Sequence, residues 1–134
     1  MQGISQTKDA IILEKALEAD IGPHLVVVKG SADGGVALPG GADVQWMGVT
    51  IENGLSGEKR KVVVGGGVIV KIKAAAAIAE GANVSIHGTT GKIKTAAPST
   101  GANSFVVGKA MEAAANDGDI IGVLLTPGVV MQGA

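Results

Sequence analysis

Short runs of β-branched residues, each closed within a few positions by Gly, Pro, Asn, Asp or Ser, set the strongest limit on what this chain can fold into. They are Leu25–Lys29, Val44–Glu52, Lys61–Val64, Val68–Lys73, Asn83–His87, Lys92–Thr95, Phe105–Met111 and Ile120–Leu125. Val and Ile are stiff at χ1 and suit a pleated, half-buried surface. Runs this short, with turn residues between them, leave no room for the crossover helices of βαβ units and point to a sandwich or barrel. In Val68–Lys73 the lysines at 71 and 73 alternate with Val68, Val70 and Ile72, as on a strand with one wet side, and Lys92 and Lys94 flank Ile93 in the same way. With one Trp, one Phe and no Tyr among 134 residues, small side chains must fill the core, while 22 glycines punctuate the chain as turns. The expected class is all-β: a small β-barrel or sandwich of short strands, with an N-terminal arm and at most one or two short helical segments.

Residues Thr7 to Asp20 read as a short helix or an arm, with Ile11, Ile12, Leu13, Ala16 and Leu17 as its apolar positions. A lone helix of this length is marginal in water and needs a docking surface, on this protein or on another. Gly22 and Pro23 end it, which divides the chain into an arm or helix over 1–22 and a single β-rich domain over 23–134. Ala74–Glu80 has the alanines for one helical turn, with Gly81 as its cap. An internal echo runs through the chain: Gly48–Glu52, then Gly57, then Val62–Val64 resembles Gly108–Glu112, then Gly118, then Ile120–Leu125. Two similar hairpins would produce it, and so would chance in a chain this rich in Gly and Val.

Little in the sequence is suited to catalysis. No Cys is present, which removes thiolate nucleophiles and Cys-based zinc sites. His24 and His87 lack the close spacing of a helical metal site, and the acids are scattered among turns. Gly65–Gly67 is followed by a β-branched run instead of a helix, and Gly88–Lys92 is too short for a phosphate loop; both read as hairpin turns. Lys109 stands near the start of a strand, unlike the modified lysine of a carrier hairpin, and no cofactor is expected. Positions 59–94 hold seven bases and one acid, a net +6, and the flanks hold four bases and eleven acids, a net −7. Such asymmetry can match a patch on a neighbouring molecule, or it can be a solvated face. Without aromatic platforms it does not make a nucleic-acid site. No apolar stretch is long enough to span a membrane, and the N-terminus lacks a secretory pattern.

The order of phrases along positions 20 to 128 carries a family resemblance. Leu25–Gly34 is followed by Met47–Thr50, Ser56–Glu58, Val62–Gly67, Ile78–Ala82, Thr90–Lys92, Val107–Glu112 and Gly118–Ile121. In this the chain resembles the capsid decoration, or cement, proteins of tailed bacteriophages. The resemblance implies a non-enzymatic virion protein, made in the host cytoplasm, that assembles as a homotrimer on the outer surface of an expanded capsid near three-fold positions. Its partners would be the major capsid protein and itself. Interface candidates are Ile11, Ile12, Leu13 and Leu17 on the arm, and Trp46 with Met47, where an aromatic beside a strand edge can anchor a contact or belong to the core. The alternatives are a β-rich surface adhesion or carbohydrate-binding module, which aromatic poverty disfavours, and an accessory or carrier domain.

Overall fold

The computed structural model describes residues 11–41, 44–65, 67–97, 103–126 and 130–132. All regular structure among them is β: β1 (Ile11–Leu17), β2 (Val26–Lys29), β3 (Gly35–Ala37), β4 (Gly48–Thr50), β5 (Lys59–Gly65), β6 (Ile69–Lys73), β7 (Asn83–Ile86), β8 (Ile93–Thr95), β9 (Asn103–Ala110), β10 (Ile120–Leu125) and β11 (Val130–Gln132). The all-β expectation holds. The helix considered for Thr7–Asp20 is a strand from Ile11 onward, and residues 7–10 lie outside the described residues. A ladder of six residue pairs to β5 gives β1 backbone partners that an isolated helix this short could not hold in water. The helical turn expected at Ala74–Glu80 is also absent. Its backbone bonds run across the fold, with Ala74 N–H donating to Asp119 O and Ile78 exchanging both bonds with Ala114.

Strands β1–β3–β2–β4–β5 close into a barrel, with β1 paired parallel to β3 and antiparallel to β5. Strands β6–β10–β9–β7–β8 form a second sheet, and β11 adds to β9. The second sheet repeats the first, pair for pair. Leu13 opposite Val62 in the barrel corresponds to Val70 opposite Val123, and Val27 opposite Gly48 to Val84 opposite Gly108. Val28 opposite Ala37 corresponds to Ser85 opposite Lys94, and Val49 opposite Val63 to Lys109 opposite Leu124. The parallel pair Leu17–Val36 returns as the parallel bridge Ala74–Ile93, and the bridge Ile21–Gly54 as Ile78–Ala114. The echo in the sequence therefore extends over two complete five-stranded units, β1–β5 and β6–β10. Backbone conformation follows the same pairing: His24 and Gly81 have φ of 65° and 88°, Gly34 and Gly91 75° and 80°, Gly57 and Gly118 90° and 93°.

The Gly65–Gly67 stretch, expected as a hairpin turn, lies between strands that are not paired with each other, β5 of the barrel and β6 of the second sheet, and its Gly66 is outside the described residues. The Gly88–Lys92 stretch does join a hairpin, β7 to β8. Lys109 falls near the end of β9, not at a strand start.

Two buried clusters explain why the Val runs are continuous. Leu17, Ile21, Val27, Val36 and Val62 fill the barrel, while Val26 and Val63, next to Val27 and Val62 on the same strands, and Val49 of β4 join a cluster with Val70, Ile72, Ile93, Val123 and other residues of the second unit. Successive strand residues face opposite ways. Strands β2, β4 and β5 thus have one face inside the barrel and the other against the second unit, so adjacent valines are both removed from water.

Candidate functional site

The junction between the units is built from His24–Val26. In the barrel, the Ala16 N–H donates to Gly34 O (3.1 Å) and so helps to close β1 onto β3. The corresponding groups of the second unit, Lys73 N–H and Gly91 O, do not bond each other. Lys73 N–H donates to His24 O (2.9 Å), and Val26 N–H donates to Gly91 O (2.7 Å). A segment of the first unit is thereby wedged into the seam between β6 and β8, with the His24 Nδ1 also 3.3 Å from Lys71 O. Thr50 holds the wedge from behind: its buried hydroxyl accepts from Leu25 N–H and donates to Gly22 O. A cleft of about 520 Å3 opens beside it, lined by Pro23, His24, Ile51, Glu52, Lys71 and Ile120, among others. In the sequence His24 is marked only by its lack of metal-site spacing, and nothing there points to this junction. Its position in the fold is what distinguishes it, since His24 stands where the second unit has Gly81.

The candidate interface residues separate into three environments. Ile11, Ile12 and Leu13 are exposed on β1, at 52%, 38% and 44%, whereas Leu17 at the other end of the strand is 2% exposed and packs inside the barrel. Over Ile11–Lys15, β1 is paired among the described residues on one edge only, to β5. Trp46 is half-buried: its ring packs against the inter-unit cluster and its Nε1–H donates to Val106 O (3.2 Å). Met47 points the other way, toward the barrel cluster. Both line a shallow cleft of about 500 Å3 with Val28, Lys29, Val44 and Gln45, and no residue of β1 shares it.

Folding pairs three of the seven bases at positions 59–94 with acids from the flanks. Lys71 meets Glu112 (2.6 Å), Lys92 meets Asp117 (2.8 Å) and Arg60 meets Glu58 (3.0 Å), so bases from the central segment find acids, two of them from the C-terminal flank. The Lys71 hydrogen bond, helped by the Gly122 N–H, holds the Glu112 carboxyl below its ordinary range, and Lys92 does the same for Asp117. The Glu18 carboxyl is lowered by the N–H groups of Ala32 and Ser31 and by the Ser31 hydroxyl, which it cups. These acids hold turns and strand ends in place. Among the described residues no cluster of three or more His, Cys, Asp or Glu is placed to hold a metal ion, and no helix is long and apolar enough to cross a membrane.

Comparison with known proteins bears on this arrangement. A family model described as phage cement protein matches residues 4–125. Among solved structures, the fold is similar to "The crystal structure of head fiber gp8.5 N base in bacteriophage phi29", with a TM-score of 0.66 and 16% sequence identity, covering 87% of this chain and 94% of that one. At that identity the likeness is one of fold. No curated protein matches the chain.

Proposed function

The chain belongs to the phage cement protein family, and from that premise we propose that it binds the outer surface of an expanded capsid near three-fold positions, as a homotrimer, and stabilises the shell. The family is one of structural phage proteins, and the observation that carries the reading is a family match that spans both units of the fold. The physical logic is that of any ligand specific for one state. A protein that binds the closed, expanded lattice adds its binding free energy to that lattice alone. Repetition over many sites supplies avidity, so each copy can hold on through modest surfaces.

Two surfaces fit these contacts. The cleft beside Trp46 and Met47 takes a side chain of the major capsid protein, with the Trp46 ring held in place by its bond to Val106 O. The exposed Ile11, Ile12 and Leu13 face a neighbouring copy, and Leu17 contributes from inside by fastening β1 to the barrel. The test is co-sedimentation of the purified protein with expanded capsids that lack it, followed by thermal disruption of the loaded shells. Saturable binding with a raised disruption temperature is expected. Failure to bind expanded shells, or binding with no change in shell stability, would overturn the reading.

A further inference from the structure

We propose that the cleft at the junction of the two units receives an arginine side chain of the major capsid protein. This contact rests on the capsid reading above for its partner and is additional to the surfaces named there. The two units differ at one carboxylate. In the second unit, Glu112 accepts from Gly122 N–H (2.7 Å) and is closed by the Lys71 ammonium (2.6 Å). In the first, Glu52 makes the same backbone bond, accepting from Lys61 N–H (3.0 Å). Lys71 stands opposite Gly122 on β6 and β10 as Glu14 stands opposite Lys61 on β1 and β5, so the first unit has an acid where the second has its lysine. Among the described residues no basic side chain pairs with Glu52. The bases around it have other acids: Lys71 is paired with Glu112 and Arg60 with Glu58, and Lys61 lies opposite Glu14.

Glu52 forms part of the wall of the cleft, of about 520 Å3, together with Pro23, His24, Ile51, Lys71 and Ile120. That volume suits a small ligand or a single side chain. With Lys71 neutralised by Glu112, Glu52 is the uncompensated charge in the wall. His24 adds an acceptor. Its Nδ1 is 3.3 Å from Lys71 O, and because a carbonyl only accepts, Nδ1 carries the proton and Nε2 of the neutral ring is left to accept. The remaining wall is apolar, from Pro23, Ile51 and Ile120, the last 44% exposed. Arginine matches both parts: its aliphatic stem covers apolar surface, and its planar fork presents several donors in fixed directions to separate acceptors. The chain itself has one arginine, Arg60, which already donates to Asn53 O and Lys59 O and pairs with Glu58. A second copy therefore does not supply the side chain, and the shell protein does. One exposed ion pair is weak, and repetition over the lattice multiplies it.

The purified protein is titrated near neutral pH and at low salt with Nα-acetyl-arginine amide and with its uncharged citrulline counterpart, while the NMR signals of His24, Ile51 and Ile120 are followed. Saturable shifts at these residues are expected with the arginine probe. Glu52→Gln keeps an oxygen for Lys61 N–H and should weaken the response about fivefold, the scale of an exposed ion pair. Asp33→Asn, at an exposed acid outside the cleft, should leave it unchanged. An equal response to citrulline, shifts confined to other residues, no saturable response, or a Glu52→Gln titration like that of the parent would each overturn the proposal. Co-sedimentation with expanded capsids then reads the partner: Glu52→Gln should lower occupancy at subsaturating protein, and Asp33→Asn should not. Full occupancy by Glu52→Gln sinks the cleft contact and leaves the capsid reading standing, whereas a parent protein that binds no capsid sinks the capsid reading and, with it, the partner assigned to the cleft.

Discussion

The Thr50 hydroxyl is buried, accepts from Leu25 N–H and donates to Gly22 O, while the equivalent residue of the second unit, Ala110, has no hydroxyl. Thr50→Val keeps the shape and removes both bonds at the root of the wedge. Leaving two backbone groups unpaired there should cost about 2 kcal/mol, read as a lowered urea midpoint. Gly108 is under a different constraint. A Cβ there would overlap the Leu124 carbonyl oxygen, and at the equivalent Gly48 it would lie 2.8 Å from Val63 O. Gly108→Ala should destabilise by about 3 kcal/mol, since the obstacle is backbone and cannot rotate away. Glu112 supplies a pH dependence. Its folded pKa is depressed by Lys71 and the Gly122 N–H, so the stability it contributes is present above the ordinary carboxylate value of 4.5 and is lost as pH falls through the folded value. Glu112→Gln should thus be less stable than the parent near neutral pH, with the difference shrinking in acid. Denaturation curves at the two pH values check this.

At the scale of elements, β1 decides most. It supplies the ladder to β5, the parallel pair to β3 and the Leu17 side chain of the barrel cluster. Leu17→Ala should cost about 3 kcal/mol. Removing residues 1–20 takes away a barrel strand as well as an exposed surface, and the expected result is loss of the cooperative unfolding transition, followed by circular dichroism. A truncated protein that still unfolds cooperatively would mean that the barrel closes without β1. The strands that alternate, such as β6, and the Val runs with both faces covered were legible in sequence because burial writes its own period. β1 was not, since Ile11, Ile12 and Leu13 are exposed together and show no period of two. β3, at three residues, is too short to show any period.

For the whole molecule, the shared cluster means that the units are not independent. Val26, Val49 and Val63 of the first unit are fully buried with residues of the second. Val49→Ala should therefore destabilise both units together by about 2 kcal/mol and leave a single calorimetric transition, and two separated transitions would show that the junction is weaker than its burial implies.

The sequence by itself determined the strand class, the turns and most of the strands, because side-chain stiffness, alternation and glycine act over a few residues. It also held a trace of the duplication at Gly48–Glu52 and Gly108–Glu112. What only the tertiary structure decided is long-range: that Lys71 and Glu112 neutralise each other across 41 positions, that Leu17 points inward while Ile11 does not, and that His24–Val26 opens one seam whose twin stays closed. Equivalent stretches with little sequence identity make the same backbone bonds, and a repeat kept in hydrogen-bond register becomes visible only when the strands are paired.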